Sequence, residues 1–119
     1  MRGEAGNVGR MPQAEIARIN PEKITGYLLN PSHPYGGSKA RFFIARGFSP
    51  TRPEELAEAL RRHAVDHAAI GPLPRVHGSM YEVVGRMGCP DGRGALVRSV
   101  WIVEPDVVGP RLITAYPAS

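Results

Sequence analysis

The sequence contains a single cysteine, Cys89, and lacks the features typical of disulfide-rich, metal-binding or membrane proteins. One thiol cannot form an internal disulfide, and it offers no second thiolate for a zinc or redox site. No apolar run reaches the roughly 18 residues that a membrane-spanning helix needs. The first residues lack the apolar segment of a secretory signal. These absences predict a protein of a reducing compartment that uses no metal or cofactor and does not enter a membrane.

The chain has 119 residues, which suits one domain with a modest core. It carries a net charge of +4, and 13 of its 15 basic residues are arginine. Arginine side chains suit phosphates and a basic domain attracts polyanions, so the composition mildly favours RNA or an acidic protein as a partner. Residues 1–13 are polar and rich in glycine. They predict a flexible tail ahead of a single domain over residues 14–119.

Three helices are predicted in the first half, because apolar residues recur at helical spacing between start and stop signals. The first starts at Asn20, and the third starts at a capping box formed by Thr51 and Glu54. His63 and His67 on the third helix are spaced as metal ligands can be, but no third ligand accompanies them, which favours solvated or half-buried histidines. The predicted helices span residues 20–30, 38–46 and 51 to about 66–69.

The second half changes to the alternating pattern of β-strands, with an Asp-Gly turn inside residues 89–94 that predicts a hairpin. Helices followed by a meander predict an α+β fold, with N-terminal helices packed on a C-terminal antiparallel sheet. In the final strand, Thr114 and Tyr116 are two apart and point their hydroxyls to one face, which Leu112 is expected to share. The predicted strands span residues 75–87, 95–104 and 111–117.

Side chains that suit phosphodiester cleavage occur in three separate segments. His33 lies in a loop rich in proline and glycine, and Lys39 follows a glycine pair at a helix start, where backbone N–H groups are free to meet an anion. Attack by a ribose 2′-oxygen needs a base, an acid and positive charge at the phosphorane. Histidine suits the proton transfers, and lysine supplies charge. We therefore predict His33, Lys39, Thr114 and Tyr116 as catalytic residues.

Four further residues are candidates for substrate binding. Arg98 and Arg111 are either available to a phosphate or simply solvated or paired with Glu82. Trp101 is either a stacking platform or a core residue, and the second role is commoner. His77 is the candidate for a second active-site histidine. Because threonine and tyrosine are also ordinary strand residues, a purely structural final strand stays open as the alternative.

Several segments of the chain resemble an uncharacterised family of small bacterial domains. The order of helices then sheet, closing on Thr114-Ala115-Tyr116-Pro117, is similar to EndoU-like ribonucleases, which belong to the barnase, EndoU, colicin and RelE group of RNA-cleaving toxins. The resemblance implies that Thr114 and Tyr116 line an active site. His33 and Lys39 match this family by type and order only, and the usual second histidine is not clearly placed. The resembling segments are residues 23–31, 36–43, 100–101 and 112–117.

This resemblance implies a metal-independent endoribonuclease, the toxic domain of a bacterial toxin, whose product is a 2′,3′-cyclic phosphate. It also implies an acidic immunity protein or antitoxin that covers the basic cleft. The expected site of action is the cytoplasm, reached either by a stand-alone toxin or by delivery as part of a larger secreted one. The alternatives are a non-catalytic RNA- or protein-binding module and, disfavoured by the positive charge, the protective partner of another toxin.

Overall fold

The computed structural model describes residues 8–118, in which helices are followed by an antiparallel sheet. Five strands follow the order β1-β2-β3-β4-β5, and every neighbouring pair is antiparallel. The predicted α+β class with a C-terminal meander is therefore confirmed. The elements are β1 (Val8–Gly9), a 3-10 turn (Ala14–Ile16), α1 (Pro21–Lys23) continued by a π turn (Ile24–Leu28), α2 (Gly37–Ala45), α3 (Pro53–Asp66), β2 (Ala69–Arg75), β3 (Gly78–Met87), β4 (Ala95–Val103) and β5 (Arg111–Pro117).

Local chemistry explains the start of α1 and the end of α2. Asn20 caps α1, because its side-chain oxygen accepts the backbone N–H of Glu22 at 2.9 Å. Helix α2 ends before Gly47, whose φ of 100° suits a residue without a Cβ. No helix in the described part of the chain has both the length and the apolarity that crossing a bilayer requires.

The capping box predicted at Thr51 is not formed. Helix α3 begins at Pro53, with Arg52 in the cap position and no side-chain cap. Proline suits the first helical position, where its missing N–H would have no partner in any case. The Thr51 hydroxyl is instead 2.8 Å from the hydroxyl of Ser49, so local bonding within the loop replaces the cap.

The region between α3 and β3 contains a strand that the sequence pattern did not predict. Residues 69–75 form β2, and the strand predicted from residue 75 to 87 begins only after the turn at Val76–His77. Two prolines make this segment look like a loop. Pro72 is accommodated because the ladder between β2 and β3 is irregular between Ile70 and Leu73, and Pro74 lies beyond the described pairing of β2 with β1 at the edge of the sheet.

The folded unit begins earlier than the predicted boundary at residue 14. Val8 and Gly9 pair with Ile70 and Ala69 at the edge of the sheet. Met11 is only 2% exposed and belongs to the hydrophobic core. Residues 8–13 are therefore part of the fold, while residues 1–7 of the predicted tail lie outside the described residues.

Strand β5 contains a bulge that changes which side chains share a face. Thr114 pairs with Val100, but the next pair joins Leu112 to Trp101, so Ile113 is an extra residue. Thr114 and Tyr116 do share one face, as predicted. Leu112 does not join them. It is 1% exposed and lies in the core together with Ala115.

A buried polar chain joins α3 to the sheet. His63 Nε2 is 3.0 Å from the carbonyl oxygens of Gly85 and Val97, so it carries the proton and donates. Nδ1 must then accept, and the Ser99 hydroxyl donates to it at 3.0 Å. Ser99 Oγ in turn accepts the indole N–H of Trp101 at 2.8 Å. Every member of this chain has a partner, which is what allows polar groups to be buried.

This arrangement corrects the substrate-binding role predicted for Trp101. Its side chain is fully buried in the core, so neither face of the ring is available to a nucleotide. His63 is buried as well, rather than solvated or half-buried as predicted. Burial disfavours the charged imidazolium and lowers the pKa of His63, although hydrogen bonds to the carbonyls of Gly85 and Val97 act in the other direction.

Candidate functional site

Five half-buried side chains meet where the π turn after α1, the following loop and α2 lie near β5. Lys39 Nζ donates to Tyr27 Oη at 2.6 Å and to Thr114 Oγ1 at 3.2 Å. Tyr27 Oη and Thr114 Oγ1 are themselves 3.2 Å apart, which completes a triangle. The Tyr116 ring centroid lies 5.5 Å from Lys39 Nζ, and the His33 ring lies 4.9 Å from the Tyr27 ring. We call Tyr27, His33, Lys39, Thr114 and Tyr116 the β5 cluster.

The loop between α1 and α2 fixes His33 against Tyr27. His33 Nδ1 accepts the backbone N–H groups of Tyr35 and Gly36, both at 3.0 Å. This bonding holds the imidazole edge-on to the Tyr27 ring. Glycine at position 36 lets the loop backbone pack closely against the Tyr27 ring, because a Cβ at this position would lie 2.6 Å from two carbon atoms of that ring.

Positive charge at the β5 cluster comes from its member Lys39 and from the neighbouring Lys23, neither of which has an acidic partner in the described structure. Every ion pair among residues 8–118 uses an arginine. Lys39 and Lys23 have their ammonium groups 5.1 and 5.4 Å from the Tyr27 ring centroid. This charge is therefore not neutralised by a described carboxylate, and it is available to an anion.

The same charges act on the phenol of Tyr27. Partial burial raises its pKa, since burial disfavours the phenolate. Hydrogen bonds with Lys39 and Thr114, and the charges of Lys39 and Lys23, act against burial. Together they outweigh it, so the pKa of Tyr27 lies below its ordinary value of 10.0. A phenol of this kind gives up its proton more readily than a free tyrosine.

Two open grooves meet at the β5 cluster. The first has a volume of about 690 Å³ and is lined by Tyr27 and His33 together with residues of α1. The second has a volume of about 400 Å³ and is lined by Lys39 and Tyr116 with Ser38 and Pro117. Because Tyr27 and Lys39 are hydrogen-bonded, the two grooves adjoin, and an extended ligand can contact both.

The remaining predicted substrate-binding residues are not part of this cluster. Arg98 shares the sheet face of Tyr116 as its cross-strand partner, but it is paired with Glu82. Arg111 is paired with Glu104, at 3.2 Å between Nε and Oε1. His77 is exposed in the turn between β2 and β3, two strands away from β5. The structure thus groups Lys39, Thr114 and Tyr116 directly and brings in His33 through Tyr27.

Tyr27 is the functional candidate that sequence reasoning missed. The spacing of Tyr27 from Ile24 and Leu28 predicts an apolar stripe on the first helix, so the sequence pattern favours a core role for its ring. Its contact with Thr114 spans 87 residues, and no local pattern predicts such a pairing. The only signal was that Tyr27 lies in one of the segments that carry the family resemblance. Within residues 8–118, no three potential metal ligands are grouped.

Comparisons with known proteins describe the fold but assign no reaction. A family profile described as "Domain of unknown function (DUF6883)" matches residues 10–119. No curated protein matches the chain. A chain of the contact-dependent growth inhibition toxin–immunity protein complex from Klebsiella pneumoniae 342 superimposes with a TM-score of 0.67 and 16% sequence identity. The superposition covers 84% of this chain and 98% of that one, and at this identity it establishes a shared fold.

Proposed function

The chain belongs to the DUF6883 family, a domain of unknown function, and we propose that here it is a metal-independent endoribonuclease, the toxic domain of a bacterial toxin. In this reaction a ribose 2′-oxygen attacks the neighbouring phosphorus, leaving a 2′,3′-cyclic phosphate and a free 5′-hydroxyl. The observation that carries the proposal is the convergence of Lys39, Thr114 and Tyr116 from distant parts of the chain. The similarity of the closing strand to EndoU-like ribonucleases supports the same reaction.

Lys39 and Thr114 form the proposed phosphate site. Their donor atoms are 3.2 Å apart, so both can contact oxygens of one phosphate group. The ammonium group would stabilise the charge that develops on the phosphorane, where a fixed positive group acts most strongly. The Thr114 hydroxyl would hold a second oxygen. Since no described carboxylate pairs with Lys39, an anion can bind without breaking an ion pair.

Tyr116 and His33 flank this phosphate site. The Tyr116 ring lines the second groove, where it can stack on a base or a ribose. His33 lines the first groove, and its Nδ1 is engaged by the loop backbone. Nε2 therefore carries the proton in this tautomer and is the ring atom that can donate to a substrate oxygen.

A protective protein partner is part of the proposal. The chain has a net charge of +4, and the charges of Lys39 and the neighbouring Lys23 are not neutralised by any described acidic side chain. The complex whose chain shares this fold is a toxin–immunity protein complex. An acidic immunity protein or antitoxin that covers the two grooves would match this charge and block access to RNA.

A second candidate is a non-catalytic module that binds RNA or a protein. One observation favours it: Lys39, Tyr27 and Thr114 already satisfy one another without a ligand. In this case the triangle would serve to fix α1 and α2 against the edge of the sheet. The two candidates differ in whether RNA is cut.

The test uses a short RNA and a matched substrate in which the 2′-hydroxyl at the cleaved position is replaced by hydrogen. With EDTA present, the wild-type protein should cut the RNA to a 2′,3′-cyclic phosphate and leave the deoxy substrate intact. Lys39→Met should reduce the rate by about 100- to 1,000-fold, as removal of one transition-state donor does. Arg41→Met, two residues further along α2 and exposed, is the matched control.

Three results would contradict the proposal. One is a wild-type protein that leaves every RNA intact and does not slow bacterial growth when produced without a partner, which would favour the binding module. Another is cleavage that needs a divalent cation, because the proposed reaction uses none. The third is equal activity of Lys39→Met and Arg41→Met, which would remove the β5 cluster from the reaction.

A further inference from the structure

We infer that Tyr27 is the group that takes the proton from the attacking 2′-hydroxyl, with Lys39 as its proton-exchange partner. This inference rests on the proposed function and adds a residue that neither the sequence pattern nor the comparisons point to. Tyr27 lines the larger groove and is bonded to both members of the proposed phosphate site. No other phenol in the described structure has this position.

The hydrogen bonds around Tyr27 Oη favour its ionised form. Lys39 Nζ has only hydrogens to offer, so Tyr27 Oη is the acceptor at 2.6 Å. Thr114 can donate a second hydrogen bond to the same oxygen at 3.2 Å. Donors that converge on one oxygen stabilise it when it carries a negative charge. The pKa of Tyr27 is lowered accordingly, in spite of partial burial.

His33 is less suited to accept this proton. Its Nδ1 is the acceptor for two backbone N–H groups, at 3.0 Å from each nitrogen, and therefore bears no proton. In the neutral ring the proton is then on Nε2. To act as a base, Nε2 would have to lose this proton while Nδ1 gained one. Both backbone bonds of the loop would be lost, so His33 can donate a hydrogen bond but cannot accept the proton in this loop conformation.

In the proposed step one bond to phosphorus forms, one bond to phosphorus breaks, and every proton that is transferred is accounted for. The 2′-hydroxyl proton passes to the Tyr27 phenolate while the 2′-oxygen forms its bond to phosphorus. The bond between phosphorus and the 5′-oxygen breaks, and the leaving oxygen takes a proton from the Lys39 ammonium. Tyr27 then returns its new proton to the Lys39 amine along their direct hydrogen bond. Phenolate and ammonium are restored without any other reactant.

Other ionisable groups near Tyr27 set the pH range of this step. Lys23, on the same helix, lies over the ring and adds positive charge. Lys39 faces the phenol from α2, and His33 faces it from the intervening loop. Glu22 lines the same groove and is the acidic residue there. The pH dependence therefore belongs to this group of residues, and it must be compared with a direct titration of the phenol.

The experiment compares Tyr27→Phe with Tyr81→Phe. Each variant loses one hydroxyl and keeps its ring, and Tyr81 packs against the core on β3, away from the cluster. Tyr27→Phe should lower kcat by about 100- to 10,000-fold, the usual contribution of a proton-transfer group. The Tyr81 variant should keep the wild-type rate. His33→Asn, which keeps an acceptor near the position of Nδ1, should lose less activity than Tyr27→Phe.

The pH profile separates proton transfer from a structural role. The phenol pKa is read from the part of the phenolate absorbance titration that Tyr27→Phe removes. The rising limb of kcat/KM against pH should have the same midpoint. Replacing Tyr27 with 3-fluorotyrosine, which lowers the phenol pKa without altering the fold, should move both midpoints to lower pH by the same amount.

The outcomes distinguish this inference from the function on which it rests. A wild-type protein that cuts no RNA overturns both. If the wild type cuts RNA but Tyr27→Phe keeps its rate and its rising limb, only the role of Tyr27 is overturned. The same holds if fluorination moves the phenol titration but leaves the rate profile in place, or if His33→Asn is the more damaging substitution.

Discussion

Ser99 occupies the middle of the buried polar chain, and its replacement by alanine should destabilise the fold by more than its size suggests. The hydroxyl donates to His63 Nδ1 at 3.0 Å and accepts from Trp101 Nε1 at 2.8 Å. In Ser99→Ala both partners stay buried without a hydrogen bond. An unsatisfied buried group costs about 1–3 kcal/mol, so the two together should cost about 2–6 kcal/mol.

The loss is measurable by urea unfolding at pH 7.5, followed by the fluorescence of the single tryptophan. Small domains lose about 1–3 kcal/mol of stability per molar urea, so the midpoint should fall by at least about 0.7 M. Ser79→Ala is the control, because Ser79 lies on β3 and is only half-buried. A Ser99 variant within about 0.5 kcal/mol of this control would refute the hydrogen-bonded chain as described, since surface substitutions have effects of that size.

Two further predictions concern pH and backbone conformation. Because burial lowers the pKa of His63, the unfolded chain binds a proton below about pH 6.5 that the folded chain does not bind. The free energy of unfolding should therefore decrease as the pH falls below this value, by up to about 1.4 kcal/mol per pH unit, until the pKa of the folded state is reached. Calorimetry between pH 5 and 7.5 should show this fall in His77→Gln and a flatter profile in His63→Gln; equal slopes would contradict it. Gly109→Ala should lose about 1–3 kcal/mol, because its φ is +85° and a Cβ would lie 2.5 Å from a backbone carbonyl oxygen. Gly88→Ala, with no atom within 4 Å of the added Cβ, should unfold at the wild-type urea concentration, and equal losses in both would contradict the reasoning.

Features that depend on neighbouring residues could be predicted from the sequence. The Asn20 cap, the end of α2 before Gly47 and the hairpin between β3 and β4 each follow from residues within one turn of the chain. The capping box at Thr51 failed because a nearer hydroxyl, that of Ser49, competes for the same side chain. Strand β2 was missed because its prolines suggest a loop, whereas one lies at an irregularity of the ladder and the other beyond the described pairing with β1.

The candidate site could be predicted only in part, for a related reason. Lys39, Thr114 and Tyr116 were found by their chemistry, and the structure groups them. The roles of Tyr27 and Trp101 depend on contacts made after folding: Tyr27 bonds a threonine far along the chain, and Trp101 finds its hydrogen-bond partner inside the core. Aromatic residues suit either a core or a site, and periodicity alone does not distinguish the two.

The bulge in β5 has a consequence for how insertions and deletions act on this strand. Without Ile113, regular alternation would still bury Leu112 and Ala115 and still turn Thr114 and Tyr116 outward. The extra residue is therefore dispensable for the inside–outside pattern. A bulge of this kind bends its strand, so we expect deletion of Ile113 to shift the Thr114 hydroxyl relative to Lys39. A deletion at residue 113 should therefore change the position of the Thr114 hydroxyl while keeping the alternation of buried and exposed side chains in β5.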